Sequence, residues 1–174
     1  LNSWWVPSEV IYGLEHSDAK LLFADQKRMQ GLEYLKDVKK IVTSYTPDPS
    51  FKSFSDFINE HSISFPEVNI GRNDPATIYY TSGSTGKPKG VLSSQKAVIA
   101  TLFSWACFSS IMKEVDNQKD PNTPPLLDEA SAILLCVPLF HVTGSHAGMF
   151  MSILVGRKIV MMKKWDAGIA LQLI

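Results

Sequence analysis

Residues 80–91 read Tyr-Thr-Ser-Gly-Ser-Thr-Gly-Lys-Pro-Lys-Gly-Val. These twelve residues hold three glycines, two lysines and four aliphatic hydroxyls, on Thr81, Ser82, Ser84 and Thr85. Glycine lets a backbone turn tightly and come close to a ligand. Hydroxyls and free backbone N–H groups donate hydrogen bonds, and lysines bring positive charge. Together they suit an anion with several oxygens, above all a polyphosphate. The Walker pattern is excluded by counting. It needs a glycine five positions before the Gly-Lys pair and a serine or threonine after it, but Thr81 and Pro88 stand there. Pro88 also biases Lys87 away from helical geometry, so the stretch is expected to be a mobile excursion from one strand to another. Composition alone favours a Gly/Ser/Thr/Lys surface turn over a ligand loop.

The elements that would position this stretch follow from the pattern around it. Residues 76–80 are β-rich and predict a central strand that brings the loop to the end of a sheet, where ligands of open α/β folds sit. Residues 91–94 predict the returning strand. Upstream, Pro7 or Ser8 starts a helix carrying Val10, Ile11 and Leu14. Residues 20–24 form a strand, and Asp25 caps a second helix reaching about Leu35. Residues 40–43 form the next strand. Ser53 with Asp56 suggests a capping box for a short helix ending near His61. Alternation at this spacing predicts an α/β fold with a mainly parallel sheet flanked by helices. Trp4 and Trp5 are read as packing residues.

Downstream, residues 97–112 carry no charge and predict a buried helix. Residues 114–129, with three prolines, predict a solvated loop. Residues 132–137 predict a buried strand leading into Pro138-Leu139-Phe140-His141-Val142-Thr143-Gly144. A helix over 144–154 closed by Gly156 follows, then a strand over 158–162 and a helix capped by Asp166. His146 is read as a packing residue. Metal ligation by His141 and His146 lacks both the HExxH spacing and a supporting cluster.

Composition limits the function classes. Lysine plus arginine equals aspartate plus glutamate at 17 each, so no charge excess draws the chain to nucleic acid. Cys107 and Cys136 stand far apart in apolar runs and predict buried free thiols, which suits a reducing cytoplasm. The uncharged run 97–112 is shorter than the roughly 18–20 apolar residues a membrane span needs. Residues 130–156 are interrupted by Pro138, His141, Gly144, His146 and Gly148. No transmembrane segment is therefore expected. The chain opens on Leu1 and closes on Ile174 inside an apolar periodic segment, which suggests an excerpt from a longer protein.

Residues 80–91 resemble, at all twelve positions, the phosphate-loop signature of the adenylate-forming enzymes, which include acyl- and aryl-CoA synthetases, luciferases and amino-acid adenylation domains. Residues 1–25 are similar to the stretch before that loop in bacterial acyl-CoA synthetases. Residues 138–144 resemble the second adenylation signature. The resemblance implies part of the large N-terminal adenylation domain, without the C-terminal domain. It also implies a reaction: a carboxylate attacks the α-phosphorus of ATP, pyrophosphate leaves, and coenzyme A displaces AMP from the acyl adenylate. Such a step needs charge neutralisation and positioning more than a strong base.

By this resemblance Thr81, Ser82, Gly83, Ser84, Thr85, Gly86, Lys87 and Lys89 bind ATP, and Lys89 and His141 are catalytic. Thr85 approaches Mg²⁺, whose main carboxylate ligand lies elsewhere. Phe140 and His141 sit beside the acyl carboxylate and the route to the thiol. A fatty acid is the favoured substrate, in a cytoplasmic enzyme that can oligomerise. The later glutamate, the ribose-binding aspartate and the C-terminal lysine of the family are absent, so the 174 residues alone are not expected to turn over. The competing readings are a non-catalytic nucleotide- or phosphate-binding module, an acyl-AMP ligase, an aryl-CoA ligase and an amino-acid adenylation domain.

Overall fold

A computed structural model describes residues 1–32, 35, 37–42, 52–60, 62–81, 86–119 and 132–173. The chain divides into two compact units, one formed by Leu1–Ile70 with Tyr80–Val91, the other by Gly71–Tyr79 with Leu92–Ile174.

In the first unit, helix α1 (Pro7–His16) starts on the proline. Pro7 has no N–H to leave unsatisfied and a φ already suited to a helix. The Val6 N–H donates to Glu9 Oε2 at 3.0 Å, and Leu14 turns into the core. Strand β1 (Leu21–Ala24) and helix α2 (Gln26–Met29) follow. Asp25 caps α2 as expected, accepting from the Arg28 N–H at 2.9 Å. The helix stops at Met29 rather than near Leu35, because Gln30 is extended and Gly31 has φ +81°. That turn buries Met29 and Leu32 almost completely. Strands β2 (Lys39–Val42) and β3 (Lys52–Ser53) complete a parallel sheet in the order β1-β2-β3. Leu21 pairs with Lys39 and Ile41 with Lys52, and Ile41 is fully buried. Helix α3 (Phe54–Asn59) carries the expected cap, with Ser53 Oγ accepting from the Asp56 N–H at 3.0 Å.

Strands β4 (Pro75–Thr81) and β5 (Lys89–Ser94) flank the glycine- and lysine-rich stretch, as the sequence predicts. Among the described residues they form a two-stranded sheet of their own, so β4 is not the central strand expected.

In the second unit, helix α4 runs from Gln95 to Lys119. Its first turn is met by backbone carbonyls: the Gln95 N–H donates to Asp74 and the Lys96 N–H to Arg72, each at 2.9 Å. Residues 114–119, expected in a loop, are therefore helical. Residues 120–129, the rest of that expected loop, lie outside the described residues. Strands β6 (Ala132–Leu135) and β7 (Lys158–Met161) pair in parallel, Ala132 against Lys158. Between them come a π-helix (Thr143–Phe150) and helix α5 (Met151–Leu154), against both of which α4 packs. Helix α6 (Ala167–Leu173) is capped as expected, the Ile169 N–H donating to Asp166 Oδ1 at 2.9 Å.

Two expectations fail here. Helix α4 is buried only along a stripe through Val98 and Ser109, while Ile99, Phe103 and Ile111 are exposed. The described elements beside it cover one side of a helix that is apolar on several. At 25 residues it also exceeds the length read from the sequence, and its Gln95–Val115 stretch is long and apolar enough to cross a membrane. Thr101, Ser104 and Ser110 give their hydroxyl hydrogens to the carbonyls four residues back, at 2.9, 2.7 and 3.0 Å. Their polarity is thereby largely satisfied. Second, both cysteines are free but exposed rather than buried: Cys107 is carried on the uncovered side of α4, and Cys136 follows the last residue of β6.

Candidate nucleotide and acid sites

The phosphate-loop candidate belongs to the first unit. Thr81 ends β4 and Lys89 begins β5, and Thr81 Oγ1 reaches the Lys89 carbonyl oxygen at 3.5 Å, closing the base of the excursion. Gly86 has φ +88°, a backbone that side-chain-bearing residues adopt only under strain. Lys87 and Lys89 are exposed, and neither makes an ion pair among the described residues. Ser82, Gly83, Ser84 and Thr85 lie outside the described residues.

Helix α1 stands against this loop. Ser8, Glu9 and Tyr12 line a cleft of about 270 Å³ with Gly86, Lys87 and Pro88. The Lys87 ammonium lies over the Tyr12 ring, 5.5 Å from its centroid. The Tyr80 hydroxyl donates to the Gly13 carbonyl at 3.1 Å and is 2.9 Å from His16 Nδ1. Loss of hydration raises the Tyr80 pKa above the ordinary tyrosine value, so the hydroxyl keeps its hydrogen through neutral pH. Trp5 packs edge-on to Tyr80 at 5.3 Å, and a Cβ on Gly13 would come within 2.8 Å of its ring. Trp5 is thus a packing residue as expected, whereas Trp4, expected to pack as well, is exposed. The part played by Tyr12 and His16 was not read from the sequence, although their spacing of four on one helix places them on one face.

The acid-facing candidate belongs to the second unit. After β6 the chain makes a turn in which the His141 N–H donates to the Pro138 carbonyl at 3.1 Å. Phe140 and His141 present adjacent rings, centroids 4.7 Å apart, and His141 is exposed. The turn is held from below. Ser145 donates to the His141 carbonyl through its N–H and its Oγ, each at 3.0 Å. Ser145 Oγ is also hydrogen-bonded to His146 Nδ1, 3.1 Å away.

His146 is buried, with Tyr79 and Phe150 ring centroids at 5.4 and 5.1 Å, which is the packing role expected of it. Burial lowers its pKa below the ordinary histidine value. Below about pH 6.5 the unfolded chain therefore binds a proton that the folded chain resists, and stability falls as pH falls. We expect urea denaturation of the full-length protein between about pH 7.5 and 5.5 to show this slope. It should be shallower in His146→Gln; equal slopes would contradict the assignment.

Among the described residues no three His, Cys, Asp or Glu side chains gather as a metal site would require. The position proposed to approach Mg²⁺, Thr85, lies outside them.

The family model for AMP-binding enzymes matches residues 1–174. The chain belongs to the AMP-binding enzyme family. Its similarity to curated relatives extends well beyond the loop. It is 30% identical over 178 residues to 4-coumarate–CoA ligase 2 of Nicotiana tabacum, covering 99% of this chain and 30% of the relative. It is 29% identical over 177 residues to 4-coumarate–CoA ligase 3 of Arabidopsis thaliana, covering 99% of this chain and 29% of the relative. This AMP-binding chain thus spans about a third of the length of those relatives. Among solved structures, an anthranilate CoA ligase in complex with anthranoyl-AMP superposes with a TM-score of 0.76 at 21% identity, over 99% of this chain and 31% of that one. A putative long-chain-fatty-acid CoA ligase from Rhodopseudomonas palustris superposes with a TM-score of 0.71 at 25% identity, over 99% and 39%. The α/β fold is therefore that of part of an adenylate-forming CoA ligase.

Proposed function

We propose that the chain supplies the phosphate-gripping and acid-facing loops of an ATP-dependent acid–CoA ligase that forms an acyl adenylate. The observation that carries this reading is the loop of residues 80–91: it fits the adenylate-forming signature throughout and joins two paired strands, with both lysines exposed and unpaired among the described residues. In this reading Gly86 brings backbone to the β- and γ-phosphates, and Lys87 and Lys89 neutralise them. Ser82, Gly83, Ser84 and Thr85 complete the cradle, with Thr85 near Mg²⁺. Phe140 and His141 border the acid and the approach of coenzyme A. The reading places the enzyme in the cytoplasm.

For the acid itself, an apolar carboxylic acid fits the uncharged residues 97–112 of α4, and a fatty acid is the expectation from residues 1–25. A second reading, an aryl acid, is favoured by the names of the curated relatives, which are 4-coumarate–CoA ligases. Acid-dependent exchange of labelled pyrophosphate into ATP by the full-length protein decides both questions. Exchange with fatty acids or with 4-coumarate selects the class, and thioester formation on adding coenzyme A completes the assignment. Nucleotide binding without exchange for any acid would leave the non-catalytic module instead.

A further inference from the structure

Both ends of the phosphate loop are tied to the same face of α1. At the leading end, the Tyr80 hydroxyl has one hydrogen, and the Gly13 carbonyl takes it. The same hydroxyl is hydrogen-bonded to His16 Nδ1 at 2.9 Å. His16 stacks on Tyr12, centroids 5.4 Å apart and planes 27° from parallel. At the trailing end, the Lys87 ammonium rests over that same Tyr12 ring. A continuous path therefore runs Tyr80–His16–Tyr12–Lys87, from the strand that enters the loop to the lysine that leaves it. Every link lies in the first unit.

We infer that Tyr12 and His16 are positioning residues of the phosphate loop, holding its two ends in register so that Lys87 is presented at a set place before the polyphosphate arrives. The two act through Lys87 and Tyr80. The physical basis is preorganisation: a lysine already directed loses less freedom on binding than one that must be gathered from solvent. This inference rests on reading residues 80–91 as a phosphate loop.

The test is steady-state pyrophosphate exchange by the full-length protein, with KM for ATP and for the acid measured separately. A cation–π contact at a half-exposed site predicts a rise of about 3-fold in KM for ATP in Tyr12→Leu, with KM for the acid unmoved. Tyr12→Phe, which keeps the ring, should restore the wild-type KM for ATP. Tyr80→Phe and His16→Leu should each raise KM for ATP, and the double variant should raise it by less than the product of the two, because their shared hydrogen bond is lost only once while the stack of His16 on Tyr12 is a separate loss. Tyr12→Gln serves as a parallel to Tyr12→Leu should the latter fail to fold. An unchanged KM for ATP in Tyr12→Leu and Tyr12→Gln, equal shifts for ATP and acid, or no restoration by Tyr12→Phe would overturn the inference while leaving the enzyme assignment standing. A wild-type protein without exchange or ATP binding would remove both.

Discussion

Replacing Lys89 by alanine in the full-length protein is expected to cut acid-dependent pyrophosphate exchange by about 10- to 100-fold while leaving folding nearly unchanged. The two halves of this expectation have separate grounds. Lys89 is exposed at the first residue of β5 and makes no ion pair among the described residues. The tie to Thr81 uses its backbone carbonyl, which alanine retains. Surface changes of this kind alter stability within about 0.5 kcal/mol. In the proposed reaction, however, the lysine faces a leaving polyanion, where a charged hydrogen bond contributes about 1.5–3 kcal/mol. Lys89→Arg should recover part of the loss, since the charge persists but the geometry differs. Rate constants measured beside a melting curve check both halves: full activity in Lys89→Ala would remove the lysine from the chemistry, and a collapsed melting curve would make its role structural.

The second large effect is expected at Gly144. A Cβ placed there would lie 2.3 Å from the Pro138 carbonyl oxygen and 2.6 Å from that of Val137. Both are backbone atoms, and the Pro138 oxygen already accepts from the His141 N–H. Neither side can yield without dismantling the turn that carries Phe140 and His141. Gly144→Ala should therefore destabilise the protein by about 1–3 kcal/mol or more. Gly148→Ala is the useful comparison, because its Cβ would meet Leu135 Cδ1 at 2.4 Å, the end of a side chain that can rotate. Denaturant midpoints should fall further for Gly144→Ala than for Gly148→Ala. Near-equal midpoints would mean that the turn is softer than its hydrogen bonds indicate.

Much of the chain was determined by local chemistry. Pro7, Asp25, Ser53 and Asp166 begin their helices where their side chains or missing N–H groups dictate, because a cap is decided within one turn of sequence. The phosphate-loop candidate was equally evident, since glycines, hydroxyls and lysines on adjoining positions define it without help from distant residues. What lay beyond the sequence depends on neighbours far along the chain. Helix α2 ends after four residues, at an extended Gln30 and a left-handed Gly31, where the composition would have allowed a longer helix. Strand β4 pairs with β5 alone among the described residues, and pairing partners are a choice made between distant segments. The apolar residues of α4 specify a hydrophobic helix but not what covers it, so Phe103 and Cys107 came out exposed. The clasp from Tyr80 to α1 spans 67 residues of sequence to Gly13, and no local pattern foretells which carbonyl a tyrosine will meet. Hydrogen-bond partners at that separation exist only once the chain has folded, so the tie between α1 and the loop belongs to the tertiary structure alone.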